Sequence, residues 1–373
     1  MDHGEARLTV VGLGAAGASL AWRLVDAGVP FEVVEAPAAA AERSPDRTWS
    51  TWGATGPGPF GHLVSAQWPR IRLVGTDGAV VTADLGGWRY RSLHSTDLDR
   101  AVRAKLAAAG IAVREEVLAG RPPAPAVDTR PVPVPPGGRT LLWQHFLGYR
   151  VRTARPEFDP VTATFMDFRV PQPAGGVAFG YVLPTSPTEA LVEYTEFSAH
   201  LLTDAQYRER LGEYLQRSGT RQHEVLSEER GVIPMTDAAF PASTDPGVLR
   251  WGANAGSIRP STGYSFTTLQ RQADVLAARI ARRGAEGLTL PRPHRRRHLL
   301  MDSLVLEALT SGRVDGASFF VDLFRRNPVH RVLGFLDGTT TPAQDVALMA
   351  TSPRAAMLST VLGRTRPGVL LRR

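Results

Sequence analysis

Leu8-Thr-Val-Val-Gly-Leu-Gly-Ala-Ala-Gly17 is the stretch on which the fold turns. Its apolar start reads as a short buried strand, and the glycines at 12, 14 and 17 follow without a gap. From Ala18 to Ala27, Leu20, Ala21, Leu24 and Val25 recur at helical spacing, with Gly28 as the stop. Phe31-Glu-Val-Val-Glu35 reads as a second strand that ends in an acid. One strand–helix–strand unit is therefore complete by residue 35. In that setting Gly12-x-Gly14-x-x-Gly17 is a dinucleotide fingerprint. Gly12 permits the tight turn, Gly14 lets the backbone approach a pyrophosphate, and Gly17 lets the helix pack closely on the strand. The helix start at Ala15, Ala16 and Gly17 offers free N–H groups to the anion. Glu35, 18 residues past Gly17, is placed to accept hydrogen bonds from a ribose diol.

The fingerprint does not separate FAD from NAD. A second segment, Gly252-Ala-Asn-Ala-Gly-Ser-Ile-Arg-Pro-Ser-Thr-Gly-Tyr264, runs into a predicted helix over Ser265–Arg283. It offers Asn254, Ala255, Gly256, Pro260, Thr262 and Gly263 as another place where backbone meets cofactor. A late second contact suits a long cofactor lying between two domains, as FAD does.

The remaining sequence predicts the second domain. Leu141–Phe146, Ala163–Val170, Val177–Leu183 and Ala190–Tyr194 read as antiparallel strands, and Asp204–Arg217 as a helix. Arg230–Met235 and Val248–Gly252 read as further strands. A helix is expected from about residue 96 to 109, capped by Ser95 or Thr96. Residues 119–139 hold seven prolines and read as a loop. The expected fold class is α/β: a Rossmann-like FAD-binding domain, an interleaved antiparallel-sheet substrate domain and a helical C-terminal part. The boundaries drawn are 1–75, 95–140 and 245–285 for the first, 76–94 and 141–244 for the second, and 286–373 for the third.

Composition narrows the chemistry. The chain has 373 residues, is 43% hydrophobic and 21% charged, and carries a net charge of +7. It has no cysteine, which excludes disulfides, thiolate metal sites and cysteine nucleophiles. The histidines show no paired ligand spacing, so no metal is expected, and no GxSxG element supports a serine hydrolase. No stretch approaches the roughly 20 apolar residues of a transmembrane helix. Arg292-Pro-His-Arg-Arg-Arg-His298 is either a solvated basic loop or a contact for anionic lipid head groups. Without aromatic interleaving or zinc-finger spacing it does not point to nucleic acid.

Several further motifs are similar, in order and spacing, to those of FAD-dependent lycopene beta-cyclases. They are Arg47-Thr-Trp-Ser-Thr-Trp52, Gln144-His-Phe-Leu-Gly148, Phe165-Met-Asp-Phe-Arg169, the run from Tyr181 to Thr195, Pro260-Ser-Thr-Gly-Tyr264, Met301-Asp302, Phe319-Phe320 and Phe335-Leu-Asp-Gly338. The resemblance covers nearly the whole chain. It implies a flavoprotein that converts a linear carotene end to a beta ring on reduced FAD, with NAD(P)H as electron source and no net redox change. It also implies a cytoplasmic protein held peripherally at a membrane, where its apolar polyene dissolves. Leu191-Val-Glu193-Tyr-Thr195 matches the family's acidic motif, which makes Glu193 the catalytic acid. Many members carry a second acid where this chain has Tyr194, and Ser50 and Thr51 replace bulkier residues between the two tryptophans.

Alkene protonation needs an acid kept protonated by burial, and a cation needs aromatic faces and dry surroundings. Trp49, Trp52, Phe179, Tyr181 and Tyr264 are the candidates to line the cavity, Arg47 to touch the cofactor, and Glu196 to relay protons. The same fold also suits a flavin monooxygenase or halogenase, a cyclase of another prenylated substrate, or an isoprenoid carrier. Oligomeric state is not legible in the chain.

Overall fold

The computed structural model describes residues 7–37, 46–240, 245–290 and 292–364, with Asn254 and Arg364 described in their backbone only. The chain opens with β1 (Leu8–Val11), α1 (Ala15–Asp26) and β2 (Phe31–Glu35). β3 (Thr48–Gly53), β4 (Val64–Trp68), β5 (Arg70–Val74), β6 (Val80–Asp84) and β7 (Arg89–His94) lead to α2 (Ser95–Ala108). β8 (Val113–Glu115) and β9 (Ala126–Asp128) precede the long strands β10 (Leu141–Thr153), β11 (Thr162–Asp167), β12 (Val177–Pro184) and β13 (Glu189–Ser198). α3 (Asp204–Ser218), β14 (His223–Thr236), β15 (Val248–Arg250) and α4 (Phe266–Arg283) follow. The C-terminal part is α5 (Arg296–Thr310), α6 (Gly316–Arg325), α7 (Val329–Leu336), α8 (Pro342–Thr351) and α9 (Arg354–Arg364).

Three sheets organise these elements. β15-β9-β1-β2-β8 form a parallel sheet, and α1, α2 and α4 bury their apolar faces in the core it shares. The pattern that marked α1 works here as read: Leu20, Ala21 and Leu24 are all buried. β9 lies inside the stretch expected to be a proline-rich loop, and it pairs directly with β1. β14-β10-β13-β12-β11-β5-β6 form a seven-stranded sheet, antiparallel except where β11 meets β5. β3-β7-β4 form a third, antiparallel sheet. The boundaries drawn from the sequence shift accordingly: β5, placed with residues 1–75, belongs to the large sheet, and β7 pairs with β3 rather than with the large sheet.

The large sheet is covered on both faces, so β12 is buried along its whole length. Successive side chains alternate across it. Val177, Phe179, Tyr181 and Leu183 face the core shared with α5 to α8, whereas Ala178 and Val182 face α3. β13 alternates in the same way: Leu191 and Phe197 face the helical C-terminal part, while Val192 and Tyr194 face α3.

The cap expected for α2 comes from elsewhere. Neither Ser95 nor Thr96 caps it; Asp46, remote in sequence, accepts from the backbone N–H of Thr96 at 3.2 Å and from both hydroxyls. A carboxylate at a helix start gains from the free N–H groups and dipole there, and the interaction ties β3 to α2. The basic run 292–298 is likewise not one outward patch. His294 and His298 are buried, and Arg297 turns back onto Asp345 at 2.5 Å and the Thr340 carbonyl.

Candidate functional site

The glycine loop closes as its residue types demand. Gly12 has φ +91°, and a Cβ there would sit 2.5 Å from Thr129 Oγ1. A Cβ on Gly17 would collide with the Gly12 carbonyl. Gly14 differs: nothing lies within 4 Å of where its Cβ would be, so it borders open space at the start of α1. That is the cradle a pyrophosphate needs in front of the N–H groups of Ala15, Ala16 and Gly17. Glu35 is buried at the end of β2, and its carboxylate accepts from the Leu13 N–H of the same loop.

The second segment lies beside the first. A Cβ on Gly252 would touch Ala16 Cβ at 3.9 Å, and Asn254 and Ala255 follow in a one-turn 3₁₀ helix before Gly256 at φ +98°. Pro260 to Gly263 form a tight turn in which the N–H groups of Thr262 and Gly263 donate to the Arg259 carbonyl, at 3.2 and 3.0 Å. Arg259 is buried against Asp302 at 3.1 Å, and Ser261 Oγ donates to the same carboxylate at 2.7 Å, so α5 holds the turn in place. Gly263 has φ +72°, and a Cβ there would collide with Gln144 Oε1. Gln144 Oε1 and Thr195 Oγ1 are buried without a hydrogen-bond partner. Buried polar atoms are nearly always satisfied, so the orphaned Gln144 Oε1 beside this turn marks where a polar ligand edge fits. The residues present therefore fit FAD at both ends. Arg47 stands at the start of β3, its backbone N–H donating to Ser95 Oγ at 2.8 Å and its guanidinium over Trp49.

Glu193 sits on the face of β13 turned toward α5 to α8, and it is only 9% exposed. Burial, with the charge of Glu229 second, pushes its carboxyl well above the usual range. Among the described residues no protein group hydrogen-bonds it. Aromatic side chains gather on the same side. Trp52 meets Tyr264 edge-on at 4.5 Å, and the Tyr264 and Tyr181 hydroxyls are 3.4 Å apart. Phe165 lies edge-on to Trp52, Tyr90 and Tyr181. Burial pushes the hydroxyls of Tyr90, Tyr181 and Tyr264 up, so all three stay neutral beside the acid. A protonated carboxyl facing aromatic rings, with little water, can protonate a very weak base and protect the cation that results.

Not every candidate joins this chamber. Trp52, Tyr181 and Tyr264 meet there, with Phe179 packed against Tyr181 at 5.2 Å. Trp49, three residues before Trp52 on the same strand, points to the opposite face and stacks on Phe266 at 5.6 Å. Glu196 is likewise three residues from Glu193 and lies across the sheet from it. There it accepts from the Tyr194 hydroxyl at 2.8 Å, close to His145, whose Nδ1 is 2.7 Å from the Tyr207 hydroxyl. A relay from Glu196 to Glu193 would have to pass through the sheet. The odd spacing along a strand already carries that signal. Tyr194, the departure from the family's second acid, also faces α3, so Tyr194→Phe is expected to leave any chemistry at Glu193 unchanged. It should cost about 0.5–1.5 kcal/mol for the lost hydrogen bond, read from denaturant melts. Sequence reasoning missed Tyr90 and Glu229, and it carried Phe165 only as part of a motif.

Comparison with known proteins places this geometry. A family profile described as lycopene cyclase protein matches residues 7–362. A lycopene beta-cyclase from Paracoccus sp. is 35% identical over 154 residues, which is 40% of this chain and 39% of that protein. The match to that relative thus spans about two fifths of its length. In fold, the chain is similar to a geranylgeranyl bacteriochlorophyll reductase-like protein from Thermoplasma acidophilum, with TM-score 0.65, 14% identity, and coverage of 95% of this chain and 98% of that one. Klebsiella pneumoniae HpxO complexed with FAD and uric acid gives TM-score 0.63 and 14% identity, over 94% of this chain and 98% of that one. The architecture is that of the Rossmann-type flavoproteins.

Proposed function

The chain belongs to the lycopene cyclase family, and on that premise we propose that it closes a beta-type ring at the end of a linear polyene, lycopene above all, without net redox change. The observation that carries this reading is Glu193: a buried carboxyl held protonated, facing Trp52, Tyr181 and Tyr264 rather than solvent. Glu193 gives its proton to the terminal alkene. The tertiary cation is attacked by a nearby double bond of the same chain, which forms the ring bond. A ring proton then returns to the carboxylate, so substrate and product are isomers and the acid is restored. Trp52, Tyr181 and Tyr264 turn aromatic faces or neutral hydroxyls to the cation, worth about 0.5–2 kcal/mol for each well-placed ring, and their packing keeps water out. FAD, held by the loop at Gly12 to Gly17 with Glu35 and by the turn at Pro260 to Gly263, would supply in reduced form a negative charge beside the cation, with NAD(P)H the source of its electrons.

The substrate dissolves in lipid, so this reading puts the protein peripherally against a membrane surface. Among the described residues no helix is long and apolar enough to cross a membrane. The test is anaerobic incubation of the purified protein with lycopene and chemically reduced FAD, followed by chromatography. A ring-closed carotenoid of unchanged mass is expected. Lycopene recovered intact, with FAD shown to be bound, would overturn the assignment; product formed only in a parallel aerobic incubation would instead favour a monooxygenase.

A further inference from the structure

On the chamber face of the large sheet, two carboxyls flank a residue that has no side chain. Gly148 on β10 lies opposite Glu193 on β13 and, on its other side, opposite Glu229 on β14. Residues opposite one another across a ladder put their side chains on the same face. Both glutamates therefore rise on one side, with only a glycine hydrogen between their bases. The outer two of three adjacent strands are about 10 Å apart, a gap that two glutamate side chains leaning inward largely close. Glu193 does lean inward: a Cβ on Gly148 would sit 2.7 Å from its Cγ and 3.3 Å from its Oε1. Its side chain occupies the space above the glycine. Glu229 is clamped, since its two oxygens accept from the backbone N–H of Thr48 at 2.6 Å and from the Thr48 hydroxyl at 2.8 Å.

We propose that Glu229 is the positioning partner of Glu193, the two carboxyls holding one proton between them across Gly148, with Glu193 its carrier and Glu229 the fixed anion. The inference rests on the acid role given to Glu193 above and adds what keeps that acid loaded. Two like charges in one dry chamber raise each other's cost of ionisation, so the first to ionise keeps the second protonated. The surroundings decide the order. Burial raises both groups, but the two Thr48 donors and the Arg150 guanidinium favour the charged form of Glu229 alone. On Glu193's side stand Tyr90, Tyr181 and Tyr264, all neutral. On Glu229's side stand Arg150, His94 and Asp46, joined in a string: Arg150 Nη2 lies 3.1 Å from His94 Nε2, and His94 Nδ1 lies 2.8 Å from Asp46 Oδ2. Asp46 is an anion whose burial is outweighed by the hydrogen bonds and the His94 it faces, and it opposes Glu229's charge in part.

The experiment is an isotope-edited infrared pH titration of the full-length, flavin-bound protein, with glutamate labelled at the side-chain carboxyl carbon and the Glu193 band assigned by its loss in Glu193→Gln. In wild type, the Glu193 band is expected to remain protonated through neutrality and to change frequency as Glu229 ionises. In Glu229→Gln its midpoint should fall by about one pH unit or more, because a neighbouring charge has been removed. The alkaline limb of cyclisation should move acidward by the same amount with KM unchanged, a result that loss of packing would not give. A Glu193 midpoint that stays in place overturns the pairing. Thr48→Val keeps both carboxyls and serves if Glu229→Gln fails to fold. It should move Glu229's ionisation and the accompanying shift of the Glu193 band together to higher pH, and separate movement of the two overturns the pairing as well. Flavin-bound protein that leaves lycopene uncyclised would defeat the proposed reaction, yet the titration would still report on the pair.

Discussion

Glu193→Gln is expected to lower cyclisation by about 10⁴-fold, the upper end of what a positioned general acid supplies, while flavin absorbance and the far-ultraviolet spectrum stay as in wild type. The loss is large because, with Glu229 clamped by Thr48 as the anion, the described residues of the chamber offer no other acid. Burial holds the tyrosines at 90, 181 and 264 well above their ordinary range, so none is a useful acid near neutrality. Glutamine matches glutamate in shape and still fits above Gly148, so packing is preserved. Its effect on stability has a definite sign. The folded-state carboxyl titrates above its unfolded value, so the wild-type contribution is complete below the unfolded pKa and is lost as pH rises through the folded one. Glutamine has no such loss. Relative to wild type, the variant should therefore gain stability as pH rises from the ordinary carboxylate range through the raised folded-state one, measured as denaturant midpoints in matched buffers. A variant that still cyclises near the wild-type rate would remove Glu193 from the reaction.

How far these features could be read from the chain depended on whether their cause was local. β1, α1 and β2 follow from neighbouring residues alone, since period and glycine spacing sit within one short stretch. β9 does not. It is three residues, Ala126 to Asp128, embedded among prolines, and its strand geometry comes from β1 and β15 on either side. The cap of α2 was invisible for the same reason, because Asp46 arrives from a different element. In the site, Glu193 is legible only through a motif; as a strand residue it reads more readily as a surface carboxylate. Glu229 sits in Glu228-Glu229-Arg230, which reads as a solvated charge run, and only the register across Gly148 shows that it shares Glu193's face. Glu196 lies on the opposite face from Glu193, as the alternation along β13 dictates. A side chain's face depends on parity, not on its chemical type.

The second and third glycines of the fingerprint should fail in opposite ways, which separates cofactor binding from folding. At Gly14 the backbone has φ −64° and ψ −173°, a conformation open to any residue, and a Cβ would meet nothing. Gly14→Val is thus expected to cost the fold about 1 kcal/mol or less, as a poorer helix cap. Its branched side chain would occupy the space in front of the α1 N–H groups, where the pyrophosphate belongs. Losing two charge-assisted hydrogen bonds of about 1.5–3 kcal/mol each weakens binding by more than about 100-fold, so the protein should purify colourless and folded. At Gly17 the added methyl would run into the Gly12 carbonyl, which directly follows β1 and accepts from the Thr129 hydroxyl at 3.3 Å. Gly17→Ala is expected to destabilise the apoprotein itself by about 1–3 kcal/mol, the range for overpacking a tight contact, and to lose flavin only as a consequence. Thermal melts of the two flavin-free variants, beside a fluorescence titration with FAD, distinguish the cases. Equal melting temperatures would mean that Gly17 does not hold helix against strand, and FAD binding by Gly14→Val at wild-type affinity would move the pyrophosphate away from this loop.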